Sequence, residues 1–151
     1  MSAKAEGLLM TTEQLFTAAS LGVMAPWLLL AFAPLRRQPI ILVARVCGAI
    51  LAALYTALIV ARSMNGGDGA DFTSLTGLAA AFARPEVMLI GWVHYLAFDL
   101  WVGAWEAEVA PKWGVPHWAL LPCLALTFLF GPIGLLLFLG VGLAFRQRRS
   151  T

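Results

Sequence analysis

The chain alternates long, unbroken apolar runs with short polar breaks. Four runs stand out, at about residues 13–33, 40–61, 86–108 and 117–145. Each is long enough to form a helix across a hydrocarbon core, which takes about 20 residues. The breaks carry turn and helix-end signals. They are Pro34 with Arg36 and Arg37, Arg62 followed by NGGDGADFTS over residues 65–74, and Pro111, Lys112 and Pro116. The last run closes on RQRR at 146–149. The runs do not alternate apolar and polar residues as membrane-barrel strands do. An open sheet in lipid would leave backbone groups unpaired, so helices are the remaining solution. The expected fold is all-α: an integral membrane four-helix bundle, one transmembrane domain over residues 1–151. The stretch LTGLAAAFA from Leu75 is expected to form a short interfacial half-helix.

Composition strengthens this picture. The chain has 151 residues, 61% of them hydrophobic and 12% charged, and its mean hydropathy is +0.85. Soluble domains carry about 25% charged residues. The net charge of +2, with basic residues placed at segment ends, gives no nucleic-acid footprint. Cys47 and Cys123 sit in apolar runs at no metal or redox spacing and read as small buried hydrophobes, although a disulfide between them is conceivable. No metal site and no cofactor are expected. Ala31-Phe32-Ala33 resembles a signal-cleavage pattern, but Lys4 lies far upstream and the run is long for such a segment, so cleavage is not expected.

Four crossings would place both termini and the middle loop on one face. That face would carry Lys4, Arg62, Arg84, Arg146, Arg148 and Arg149, against Arg36, Arg37 and Lys112 on the other. The positive-inside rule then puts both termini in the cytoplasm. Within the second run, Ala44, Gly48, Ala52 and Thr56 recur every four residues, a small-residue face that lets another helix come close. Pro132, beside Gly131 and Gly134, is expected to kink the fourth helix. Pro26 and Pro122 are candidates for the same effect. Trp113 and Trp118 stand at run ends, as interfacial anchors do.

The chemistry is expected in the third run. Asp99 falls near its middle, where a charged carboxylate costs about 2.5–3.5 kcal/mol even on lenient insertion scales. By rise per residue, Arg45 lies about 9 Å outward of the midplane, Asp99 about 3 Å and Glu106 about 13 Å. Arg45 is therefore the expected ion-pair partner, able to fork to either carboxylate. Asp99 and Glu106 share one helix stripe with Tyr95, whereas His94 belongs to an aromatic stripe with Phe98, Trp101 and Trp105. Glu106 is expected close to the interface and its water, and Glu108 to be solvated. Two readings compete. The charged groups either fix helix register as a buried pair, or line a cavity and move protons. Haem ligation by His94 and His117 fails on depth, since the two lie about 15–20 Å apart.

The stretch HYLAFDLWVG, His94 to Gly103, resembles the signature of the abscisic-acid-deficient-four-like family, named for plant neoxanthin synthase. The tail LFGPIGLLLFL, Leu129 to Leu139, resembles that family's last helix. One departure is visible: members often continue Gly-Arg-Trp, where this chain has Gly103-Ala104-Trp105. The resemblance implies an isomerase of carotenoids or other isoprenoid lipids, opening an epoxide to an allene without net redox change. It implies catalytic roles for Asp99 as proton donor and His94 as acceptor. Arg45, Tyr95, Phe98, Trp101, Trp105 and Glu106 are the expected ligand-binding residues. The alternative is a non-enzymatic membrane subunit that binds pigment or assists complex assembly. Expected partners are membrane lipids, a hydrophobic molecule such as a carotenoid, and a membrane complex or homo-oligomer. The absence of a Ser- and Arg-rich leader points to a bacterial inner membrane.

Overall fold

Glycine and proline, more than hydropathy, decide where these helices end. The computed structural model describes residues 10–32, 37–67, 69 and 71–147. Lys4, Ala33, Pro34, Arg36, Arg148 and Arg149 lie outside the described residues, as does the side chain of Arg37. Among the described residues there are six helices: α1 (Thr12–Phe32), α2 (Arg37–Met64), α3 (Leu75–Phe82), α4 (Pro85–Trp113), α5 (His117–Phe130) and α6 (Pro132–Gln147). Only α1, α2 and α4 are long and apolar enough to cross a membrane. Pro85 opens α4 at a position where its missing N–H costs nothing. Gly114 closes α4 at φ 75, the left-handed cap that glycine adopts without a Cβ clash. The predicted half-helix is α3, with Ser74 as its N-cap accepting from the Gly77 N–H at 3.0 Å.

The fourth expected crossing is not one helix. The chain turns at Gly131, φ 47 and ψ −93, and Pro132 begins a new helix. The halves have 14 and 16 residues, or about 21 and 24 Å, short of a core about 30 Å thick. They fold back on each other. Gly134 packs against the backbone and hydroxyl of Thr127. At the far end the Trp118 and Phe145 rings meet edge-on at 6.4 Å. A kink was the expected outcome at Pro132; a hairpin results, because Gly134 has no side chain to keep the halves apart. By contrast, Pro26 and Pro122 sit inside continuous helices.

The hairpin changes which end lies where. His117 Nε2 contacts the Ala31 carbonyl at 2.8 Å, so α5 starts beside the end of α1. Because α6 returns to the start of α5, Gln147 lies at that same end. Thr12 lies at the opposite end, beside Arg62 and Glu86. The two ends of the described chain are therefore on opposite faces, not on one face as four crossings required.

α4 is the central helix. Along α2, Ala44 is fully buried and Gly48 receives the Trp101 indole, as the small-residue spacing predicted. Ala52 and Thr56 point outward, and Thr56 bonds its own helix at the Ala52 carbonyl. Gly103 makes room for the Trp27 ring. Phe138 of α6 is fully buried between Trp105 and Trp113, at centroid distances of 5.4 and 5.3 Å. Trp113 is thus a packing residue, whereas Trp118 stays 71% exposed at its helix end. Cys47 and Cys123 are both free.

Candidate functional site

Midway along α4, one side chain stripe faces the tip of the hairpin. Tyr95, Asp99 and Glu106 follow one another on this face, as helical phase predicted. The Tyr95 hydroxyl donates to the Phe128 carbonyl at 3.3 Å, near the end of α5. Asp99 lies directly against Gly131: a Cβ on that glycine would come within 2.8 Å of Asp99 Oδ1. Glu106 is fully buried, and the Thr127 hydroxyl donates to its Oε1 at 2.9 Å. Asp99 Oδ2 and Glu106 Oε2 are buried and have no hydrogen-bond partner among the described residues. Two carboxyl groups thus converge on a backbone break.

The break itself contributes chemistry. The first turn of a helix holds unpaired N–H groups and the positive end of its dipole; the last turn holds unpaired carbonyls. At Gly131 the last turn of α5 and the first turn of α6 meet within one residue. The Asp99 carboxylate packs at this junction, just before α6 begins. What this acid meets is the Gly131 junction, and not a cation.

The expected Arg45–Asp99 pair is not formed. Arg45 Nη2 instead pairs with Glu108 Oε2. Glu108 also takes Lys112 Nζ at 3.0 Å, one helical turn on. The Arg45 guanidinium lies 5.8 Å from the Trp101 ring centre. The physical reason is length. α4 continues to Trp113, so Glu108 is a helical residue within reach and not a solvated end. A long arginine reaches outward toward the polar boundary, away from Asp99. Glu106 also departs from expectation, since it is enclosed by the hairpin rather than wetted at an interface.

His94 is on the other side of α4. It is exposed, with ring contacts to Phe98 at 4.5 Å and to Tyr55 of α2 at 5.4 Å. Phe98 is 61% exposed and Trp101 covers Gly48. Trp105 leaves that stripe to pack on Phe138 and Trp113. The sequence-predicted residues therefore separate into two groups. Tyr95, Asp99, Trp105 and Glu106 meet the hairpin; His94, Phe98 and Trp101 lie toward α2, which carries Arg45. Thr127 and Gly131 were missed as site residues. Their signal was the Gly-Pro pair, read as a kink in one continuous helix. Ala104, the departure noted in the sequence, is fully buried in the core.

Fold and site together define a class: an all-helical chain fit for a membrane, with a broken helical hairpin closing over paired carboxyls. The chain belongs to the ABA DEFICIENT 4-like family, whose model matches residues 14–138. No curated protein matches the chain, and no solved structure does.

Proposed function

We propose that this protein is a membrane isomerase of an isoprenoid lipid, such as a carotenoid, and that its acid–base groups lie at the hairpin tip. The observation that carries the reading is the convergence of Asp99, Tyr95 and Glu106 on the Gly131 break, with one oxygen of each carboxyl buried and unpartnered. Opening an epoxide to an allene needs a proton delivered to the ring oxygen as the C–O bond breaks. It also needs a proton removed from a neighbouring carbon, so atoms and oxidation state balance. A neutral carboxyl, the form that apolar surroundings favour, is a suitable donor. Asp99, open to Tyr95 and the break, takes that role, and Glu106 accepts. His94, turned toward α2, is replaced in this scheme by Tyr95 and Glu106.

The test is pigment and lipid profiling of cells expressing the wild type, Asp99→Asn, Glu106→Gln and His94→Ala. Loss of a product with the two carboxyl variants, and its retention with His94→Ala, supports the reading. Identical profiles in cells with and without the chain remove it. A product lost only with His94→Ala would move the chemistry to the α2 side. The second reading is a pigment-binding subunit without chemistry, favoured by the apolar clefts beside α1. It is indicated if purified protein carries pigment while no profile changes.

The hairpin supports one orientation over the other. With the C-terminal end of the described chain beside the end of α1, the described Arg45, Lys112 and Arg146 lie toward one face, and Arg62 and Arg84 toward the other. The positive-inside rule then places the C-terminal face in the cytoplasm of a bacterial inner membrane and the N-terminus outside. A fluorescent or alkaline phosphatase reporter fused to each end checks this. Reporters that place both ends on one side would overturn it.

A further inference from the structure

Two apolar clefts run along α1 and adjoin at shared side chains. The outer one, about 320 Å³, lies between α1 and α5, lined by Met24, Trp27, Phe32, Leu124, Ala125 and Phe128 among others. The inner one, about 310 Å³, lies between α1, α4 and the hairpin tip. Met24 and Phe128 line both, so the clefts adjoin at these two side chains, and together they are read as one groove. Along α1 the groove runs from Phe32 to Ser20, about 18 Å at 1.5 Å per residue, roughly the depth of one leaflet's hydrocarbon.

Its polarity runs the wrong way for a phospholipid. The outer part is walled by carbon and the Met24 and Trp27 side chains. The polar groups stand at the deep end: the Ser20 hydroxyl, accepting from Trp92 Nε1 at 2.9 Å, and the Tyr95 hydroxyl, one helical turn before Asp99. A phospholipid would put its headgroup at the outer end and its chain terminus against these groups. A chain whose oxygen function enters first satisfies both ends, because the hydroxyls bond the oxygen and the walls bury the chain.

We infer that the groove between α1 and the hairpin is a binding site for a linear apolar molecule held with its oxygen-bearing end at Tyr95, beside Asp99. The inference rests on the isomerase reading for the fate of that end, but the binding site stands without it. Entry is sideways from lipid, with the oxygen-bearing end passing Met24 and Phe128 first.

The test uses all-trans-retinol, a linear isoprenoid with a single terminal hydroxyl, titrated into the purified full chain in lipid nanodiscs. Binding is read by retinol fluorescence anisotropy. Ala125→Phe is an exposed substitution that fills the outer cleft. Val46→Phe is the same change in kind on the exposed face of α2. The expected result is a loss of about ten-fold or more in affinity with Ala125→Phe, and none with Val46→Phe. A truncated probe without the hydroxyl is expected to bind more weakly than retinol to the wild type and equally to Tyr95→Phe. Wild-type affinity in Ala125→Phe overturns the site. The two proposals fail separately. Retinol binding blocked by Ala125→Phe, with lipid profiles indifferent to Asp99→Asn, keeps the groove and removes the isomerase. The converse result keeps the isomerase and removes the groove.

Discussion

Two apolar stretches of similar length meet different fates in this chain. α4 runs 29 residues without interruption, although it carries Asp99, Glu106 and Glu108. The segment after it is more uniformly apolar, yet it splits into 14 and 16 residues around Gly131. Hydropathy therefore measures whether a segment tolerates lipid, not whether it crosses. Two of its acids find partners that keep the polar helix whole: Thr127 of α5 for Glu106, and Arg45 of α2 with Lys112 of α4 itself for Glu108, while Asp99 packs against Gly131. The apolar one breaks because Gly131 can adopt φ 47, Pro132 supplies no N–H to continue the ladder, and Gly134 lets the halves touch. Each half depends on the other: the break exposes backbone groups that α4's carboxyl face covers, and the hairpin buries the carboxyls.

Filling the space between the half-helices should break this relation most strongly. In Gly134→Leu, a side chain would be driven into the Thr127 backbone as well as its hydroxyl, and neither can move aside without unravelling α5. A loss of about 3 kcal/mol or more is expected, read as a shift in the detergent unfolding midpoint. If the segment can straighten instead, a cysteine introduced at Gln147 would change the face on which it is labelled. Unchanged stability with unchanged labelling would mean that the halves do not pack as described.

Gly131→Ala is the next in size. Its backbone lies in a region that L side chains rarely adopt, and its Cβ would press on Asp99. The expected cost is about 1–3 kcal/mol. Part of it should be relieved in the double variant with Asp99→Ala, since the steric term is then gone. A fully additive pair would argue that Asp99 and Gly131 are not in contact.

Thr127→Val separates packing from polarity at the same place. The shapes match, but the hydroxyl bonded to the buried Glu106 is lost, at an expected cost of about 1–3 kcal/mol. Thr127→Ser should recover most of it. Equal stability of the Val and Ser variants would show that the bond contributes nothing.

These sites also mark what the sequence could and could not disclose. The three long helices were legible, because a continuous apolar run in lipid has only one backbone solution. The stripe of Tyr95, Asp99 and Glu106 was legible too, since helical phase depends on spacing alone. The partner of Arg45 was not. Depth arithmetic compared rises along idealised segments and ended the third run at Glu108, five residues before α4 in fact ends at Trp113. The hairpin was not legible either, since Gly131-Pro132 fits a kink as well as a turn until it is known that Gly134 meets Thr127. Proximity across elements, not local propensity, decided both.

A last comparison sets the start of α6 beside the start of α3. Each has an aspartate behind it, one remote in sequence and one local. At α6 it is Asp99, from another helix. At α3 it is Asp71, whose Oδ1 accepts from the Thr73 hydroxyl at 2.6 Å and N–H at 2.8 Å, and whose Oδ2 accepts from the Ser74 hydroxyl at 2.8 Å. Ser74 in turn accepts from Gly77 N–H. The hydroxyls of Thr73 and then Ser74 favour the ionised form and lower the Asp71 pKa from 3.8 to about 2. Because the folded value lies below the unfolded one, its contribution is present above the unfolded value of about 3.9 and fades as pH falls through about 2. The group is fully exposed, so the effect is local and small. Exchange of the Gly77 amide should be slow at pH 5 and lose its protection near pH 2, relative to the intrinsic rate. Asp71→Asn, which keeps an acceptor but cannot titrate, should show no such step. A step that survives in Asp71→Asn would assign the cap's acid sensitivity elsewhere, and the local aspartate would no longer parallel the buried one.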